Sequence, residues 1–388
     1  MIKNSLLIIV ILLFIETVIL YLAEYKQFKK YFSFLPHVFW IYFLPMLAST
    51  VGLIDSKSLV YQTIITNFLP ASLVLLLLAV DIKSIMRLGR SALIMFFAGS
   101  FGIMVGTTIV FSLFKGWVGG DFWSGFGALS ASWTGGSANM IAVKEAIGTP
   151  DTIFAPMVVV DTIVPYVWMG FLVAMSGAQA LYDRWNRSDR VILDELAERI
   201  SHVPSSHQQR LEIKSTVLLL VFAMVVSFGV QGLAPSFPTI KNVISATAWT
   251  IILVTLFGIL LSFTPIRKIE QHGASRLGYF LLYFVLTAIG AKASLTNIGS
   301  IFILFMAGFL IVILHAGVLI FTARLIKAPM FLVAVASQAN VGGVASTPIV
   351  AEIYQPGLAS VGLLLAILGN ICGTYLGILT SQICYFFR

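Results

Sequence analysis

The chain has 388 residues, 59% of them hydrophobic and 10% charged, with a mean hydropathy of +0.99. That is too apolar for a soluble globular domain and describes a polytopic membrane protein. The formal net charge of +8 would suit a nucleic-acid binder, but the cations lie at helix ends and in short loops, the pattern that orients a membrane protein, so no nucleic-acid partner is expected.

A helix needs about 20 apolar residues to cross a bilayer. Taken in order, the predicted spans cover residues 5–22, 34–54, 59–80, 91–114, 123–147, 152–176, 215–233, 240–263, 277–290, 300–323, 330–354 and 358–386. The expected fold is all-α, with about twelve (roughly 11–13) transmembrane helices. Lys3 precedes the first apolar run in the manner of a signal sequence. No small-residue cleavage site follows, so a retained first helix is expected. Both cysteines, Cys372 and Cys384, fall on the last span, which supports neither a disulfide framework nor a thiolate metal site.

Two of these spans are interrupted alike. Residues 128–147 read ALSASWTGGSANMIAVKEAI and residues 335–354 read VASQANVGGVASTPIVAEIY. Aligned without gaps, Ser130 falls on Ser337, Gly135 and Gly136 on Gly342 and Gly343, Ala138 on Ala345, Val143 on Val350 and Glu145 on Glu352. Glycine-interrupted spans at matching positions of two halves point to a transporter's binding site, because the unwound backbone presents carbonyls and helix ends at membrane depth. Lys83, Ser84 and Gly89 align loosely with Ala293, Ser294 and Gly299, which extends the match over several helices.

Loop charge then gives orientation. Lys83, Arg87 and Arg90 make one first-half loop basic while its counterpart holds only Lys292; one loop further on, Lys115 and Asp121 are balanced while Arg324 and Lys327 are basic. Opposite charge in equivalent loops implies inverted repeats. The expected layout is a first repeat at 1–176, with panel helices in 5–80 and core helices in 91–176 containing the broken helix 123–147. A polar linker follows at 177–214, and the second repeat occupies 215–388, with panel helices in 215–290 and core helices in 300–386 containing the broken helix 330–354. Inversion needs an odd number of crossings between equivalent positions, and the span list gives an even one. The trouble is expected around the linker, whose residues 192–200 have the periodicity of a surface helix.

Most of the acidic residues lie in loops or at helix ends. Asp161 does not: it sits in mid-span between Val158-Val159-Val160 and Ile163-Val164, with Pro156 and Pro165 on either side. A carboxyl there must pair, protonate or face a hydrated cavity, so it reads as a proton or cation site; the bland alternative is a protonated acid bonded to a neighbouring helix. Asn370 takes a similar place after the second break and, with Asn139, completes the expected ion-coupling set. Gly369, Gly373 and Gly377 form a small-residue face for close helix approach. At the breaks, Ser132, Trp133, Thr134, Gly135, Gly136, Ser137, Gln338, Asn340, Gly342, Gly343, Ser346 and Thr347 are the expected substrate-binding residues. Their neutral oxygens and amides suit Na⁺ or a polar solute, and half-helix N-termini favour anionic groups. Individually the hydroxyls could merely satisfy backbone freed by the glycines. Glu145 and Glu352 read as mainly structural, Glu16 as an acid at unusual depth, and His315 as a satisfied interior histidine. No HExxH, GxSxG, GxxxxGK[ST] or CxxC pattern occurs, and GxG at Gly125 and Gly127 is too weak to count, so no enzymatic activity and no cofactor are expected beyond Na⁺ or H⁺ as coupling ion.

The strings ALSASWTGGSANM, VVVDTIVPYVWMGFL, SQANVGGVASTPIVAEIY and PASLVLLLLAVDIKSIMRLG resemble the YjcL-like membrane family of unknown function over nearly the whole chain. That family is grouped with cation:proton antiporters and bile-acid-type sodium symporters. The resemblance implies the sodium/proton antiporter-like fold: two inverted repeats, discontinuous helices crossing in a core domain, and a panel domain against which the core moves as an elevator. It also places Asp161 on the helix that carries the antiporters' ion-binding aspartate. The chain departs from the antiporters in having Val160 before Asp161, and from the bile-acid type in having Gln338 and Asn340 at the second break. The expectation is an ion-coupled secondary transporter of a small organic solute, multi-pass in the inner (cytoplasmic) membrane, with lipid as its surroundings and room for a homodimer. The alternatives are a cation/proton antiporter without organic cargo and a non-transporting receptor or assembly factor.

Overall fold

The computed structural model describes residues 1–25, 27–28, 31–32, 37–189, 191–200, 213–239, 245–293 and 301–388. Ser294, Gly299, Ser300, the start of the 240–263 span and part of the 177–214 linker lie outside the described residues. Within them the chain is helical, with no strand and one isolated bridge between Ile2 and Ile54. Helix is the expected answer in lipid, where each backbone group must find its partner within its own segment.

The helices are α1 Ser5–Glu24, α2 His37–Thr50, α3 Val60–Leu78, α4 Ile82–Met86, α5 Gly89–Val118, α6 Trp123–Gly135, α7 Ser137–Ile147, α8 Asp151–Met175, α9 Gln179–Asn186 and α10 Val191–Ile200. They continue with α11 Ile213–Leu233, α12 Ala246–Ser262, α13 Ala274–Lys292, α14 Ile301–Ile326, α15 Met330–Val341, α16 Gly343–Tyr354 and α17 Ala359–Phe386. Among the described residues, 8 helices are long and apolar enough to cross a membrane, or 9 if α12 and the following Pro265–His272 turn, bent by 96°, form one span. The rest of the expected spans are short or split. α2 has 14 residues and carries Pro45, so it rises only about 21 Å. Residues 123–147 and 330–354 each divide at the glycines into two helices. The chain is a multi-pass membrane protein.

Contacts divide the chain into two units: residues 1–80, 144–162 and 209–302 form the first, and residues 81–143, 163–208 and 303–388 the second. Each is stitched from non-contiguous pieces, and the boundaries fall inside α7 and α8. In the first unit α3 is the central helix, packed by α11, α12 and α13. Ala71 and Leu75 of α3, Leu219 and Ala223 of α11, and Ala274, Leu277 and Leu281 of α13 share one buried cluster. The opposite faces of these helices keep their apolar side chains outward, as Val217, Val221 and Val225 do on α11; lipid solvates them, so burial is not what holds them in place. Glu16 of α1 is fully buried, and neither carboxylate oxygen has a hydrogen-bond partner.

The second unit contains both glycine breaks. α6, α15 and α16 pack on α17, and α6 also touches α15. The entry to α15 is fixed by α9: the Asp183 carboxylate accepts from Met330 N at 2.8 Å, which satisfies one of the free N–H groups of a helix start and complements its dipole. Asn186 donates to Ala323 O and Ala328 O, and Arg324 donates to Trp185 O. The first part of the expected linker is therefore a docked helix. The surface helix expected over 192–200 is present as α10.

Candidate functional site

The first break forms because Gly136 adopts φ 85°, ψ 172°, a conformation that L side chains resist. Its N–H still closes α6 by donating to Ser132 O at 2.6 Å. Asn139, one turn into α7, reaches back: its Nδ2 donates to Gly135 O at 2.5 Å and, at 3.4 Å, to Asn370 O. Thr374 Oγ1 donates to Asn139 Oδ1. The predicted residues Gly135, Gly136, Asn139 and Asn370 thus come together, joined by Thr374.

Small residues make this approach possible. Along α6, Gly127, Ala131 and Gly135 face Ser381, Gly377 and the pair Gly373 and Gly369 of α17, so the two helices run antiparallel. The predicted small-residue face of α17 is this seam. Gly127, set aside in the sequence as half of a weak motif, lies where an added Cβ would come within 2.9 Å of Ser381 Cα. Thr134 turns its hydroxyl back to Ser130 O at 2.8 Å, a local backbone role.

At the second break Gly343 takes φ 68°. Gln338 Nε2 donates to Ser346 Oγ at 2.7 Å, Ser346 Oγ donates to Gly342 O at 2.9 Å, and Thr347 Oγ1 donates to Gly343 O at 2.6 Å. Asn340 points elsewhere, into α5: its Nδ2 donates to Phe96 O at 3.1 Å and its Oδ1 accepts from Ser100 Oγ at 2.7 Å. Of the buried polar atoms in this unit that have no hydrogen-bond partner, two belong to the predicted set, the donor Trp133 Nε1 and the acceptor Gln338 Oε1.

His315 is fully buried and satisfied on both sides. Nδ1 lies 2.8 Å from Gly99 O, which can only accept, so Nδ1 carries a proton, and Nε2 is hydrogen-bonded to Ser337 Oγ at 3.0 Å. Ser337 in turn accepts from Trp168 Nε1 at 2.8 Å. This series of bonds ties α8, α15, α14 and α5 together through the imidazole.

Asp161 is half-buried on α8 and belongs to the first unit. Sequence reasoning missed Lys144: its side chain is 4% exposed and is held by Glu145 at 2.7 Å and Asp151 at 2.9 Å. The available signal was a lysine followed by two acids, Glu145 and Asp151, near the end of a broken helix, which loop-charge reasoning discounts as interfacial. Among the described residues no group of three or more His, Cys, Asp or Glu side chains could hold a metal ion.

A family model, described as a protein of unknown function (DUF819), matches residues 10–387. The chain belongs to the DUF819 family. This DUF819 chain is also 25% identical over 351 residues to the uncharacterized membrane protein YjcL of Bacillus subtilis (strain 168), with 86% of each chain covered.

Proposed function

We propose that the protein is a secondary active transporter that couples H⁺ or Na⁺ to the movement of a small organic solute. The observation that carries this reading is that both breaks lie in one unit, with an unpaired buried donor at the first and an unpaired buried acceptor at the second. An unpaired buried polar group costs about 1–3 kcal/mol, which a solute able to both accept and donate would recover. Neutral amides and hydroxyls dominate the rest of the lining, as suits a desolvated solute or Na⁺. No enzymatic role is proposed, and no cofactor beyond the coupling ion.

Inverted repeats gain support from α5 and α14, the helices that precede the two breaks. As α5 runs from Gly99 to Gly106, its neighbours on α14 go back from His315 to Ile311, so these equivalent helices are antiparallel. Antiparallel equivalents need an odd number of crossings between them, so with each broken pair and α2 counted as crossings, one element between α5 and α14 does not cross in full, which gives about eleven spans. The division into two units, each drawing on both halves of the chain, is what a panel and a moving core would require. Asp161 is the proposed coupling group, because a carboxyl in mid-helix loses its charge penalty when H⁺ or Na⁺ binds. It lies seven residues before Trp168 on the same face of α8.

In proteoliposomes, solute flux should follow an imposed ion gradient, and Asp161→Asn should abolish that dependence while solute exchange persists. Gradient-driven flux that is unchanged in the variant would remove Asp161 from the mechanism. Ion-driven pH changes with no solute requirement would favour the plain antiporter, and binding without accumulation a receptor.

A further inference from the structure

The first unit holds a cavity of about 220 Å³ between α3, α11 and α12, closed on one side by Glu145 at the end of α7. Its lining residues Glu145 and Gln62 belong to a ring of side chains whose other members, Lys144, Asp151 and Lys292, lie outside the lining. Glu145 Oε1 accepts from Lys144 Nζ at 2.7 Å, and Lys144 Nζ also meets Asp151 Oδ1 at 2.9 Å. Lys292 Nζ lies 3.6 Å from Asp151 Oδ2 and donates to Gln62 Oε1 at 3.3 Å, and Gln62 lines the cavity again. The ring holds two cations and two carboxylates, so it is neutral.

The charged and amide groups of this ring and its neighbours already have partners for their donors. Lys144 is shared by two acids and Lys292 faces Asp151 and Gln62. Gln62 Nε2 donates to Thr66 Oγ1 at 3.3 Å, and Gln231 Nε2 donates to Thr66 O at 3.2 Å and Ser227 Oγ at 3.0 Å. What remains unused is acceptor capacity: the second oxygen of Glu145 and the amide oxygen of Gln231. An anion entering here would find no free charged donor, only the hydroxyls of Thr66 and Thr247, and a carboxylate in front of it. A bare metal ion fits poorly as well, because the cavity is larger than one coordination shell and much of its lining is apolar, including Ile65, Pro70 and Ile251. Gln62 and Thr66 are exposed, so the cavity has an open mouth.

We infer that this cavity binds a small organic ammonium ion, with its N–H groups on Glu145 and Gln231 and its alkyl part against Ile65, Pro70 and Ile251. The site does not depend on the transport reading, since it lies wholly in the first unit and uses none of the residues at the breaks. It gives Glu145 a ligand-binding role where the sequence suggested a structural one.

Isothermal titration of the purified full-length chain in nanodiscs with butylammonium chloride tests the inference, with sodium butyrate and sodium chloride as comparisons. Saturable binding of butylammonium and none of butyrate is expected. Glu145→Gln should raise the Kd at least tenfold. Should Glu145→Gln fail to fold, because it disturbs the ion pairs, Ala246→Phe carries the test. Ala246 lines the cavity but is exposed and outside the ring, and a phenyl group there should occlude the site and abolish binding. A wild-type chain that binds no butylammonium, one that binds butyrate equally well, or a folded variant of either kind that binds like the wild type overturns the inference.

Discussion

At the first break a Cβ on Gly135 would come within 2.6 Å of Gly369 O and Gly373 Cα of α17, whereas at the second break a Cβ on the equivalent Gly342 would run into the break's own Gln338 and Ser346 side chains. The same glycine pair therefore answers two different demands. At the first break glycine is required by a neighbouring helix, which seals the site through Asn139 and Thr374. At the second it is required by the break's own side chains, which close it from Gln338 to Ser346 to Gly342; the glycine that follows, Gly136 or Gly343, turns with positive φ in both breaks and has open space around it at Gly343. A break held by tertiary packing is rigid. One closed locally, with open space beside it, can reshape at lower cost, and we expect adaptation to the solute mainly there.

Substituting the glycines gives the largest contrast. Gly135→Val would drive two methyl groups into α17, and overpacking of this severity should cost about 3 kcal/mol or more, seen as a lost or strongly lowered melting transition in detergent. Wild-type melting in this variant would mean that the α6–α17 seam is loose, and the comparison would fail at its first step. Asn340→Ala comes next. It strips one buried partner from Ser100 Oγ and one from Phe96 O, which keep each other, and the two lost hydrogen bonds with the cavity left behind should cost about 2–3 kcal/mol. Chemical denaturation in mild detergent measures it, and a loss well under that value would show that α5 is not anchored through this amide. Gly343→Ala meets no neighbour and should cost only the strain of the left-handed conformation, about 1–2 kcal/mol. A larger loss would reveal a hidden packing requirement and make the two breaks alike.

Much of this was legible because it rests on local pattern. The paired glycines, the four-residue spacing of Gly369, Gly373 and Gly377, and the interior placement of His315 all depend on helix periodicity, which sequence carries directly. The partner of the small face was not legible. Gly127 and Ala131 resemble any small residues in a membrane helix until α17 is laid against them. Thr374 was missed for the same reason, since its role exists only across that seam. Asn340 read as a substrate-binding amide and Asn139 as an ion-coupling one, and in the fold one ties α15 to α5 and the other ties the first break to α17. Sequence cannot distinguish them because which helix an amide reaches is fixed by packing between segments more than 200 residues apart. Lys144 was hidden by its surroundings: a lysine beside a glutamate near a helix end has the pattern of a solvated interface, and only the fold brings Asp151 against it.

The smallest expected effect on stability belongs to Gln338→Met, and it separates folding from function most cleanly. Gln338 gives up one hydrogen bond, to Ser346, but its Oε1 is buried without a partner, so the side chain already carries a penalty in the resting protein. Losing the bond costs about 1 kcal/mol, and removing the orphaned acceptor returns about as much. Methionine is close in length and fills the same space. The melting temperature should therefore move by no more than about 3 °C in either direction. Solute flux should nevertheless fall severalfold, because the acceptor aimed at the solute has gone. A loss of stability comparable to that of Asn340→Ala would show that Oε1 is paired after all, and the second break would then be as closed as the first. Unchanged stability with unchanged flux would leave the two breaks different in construction but would take the solute away from the second.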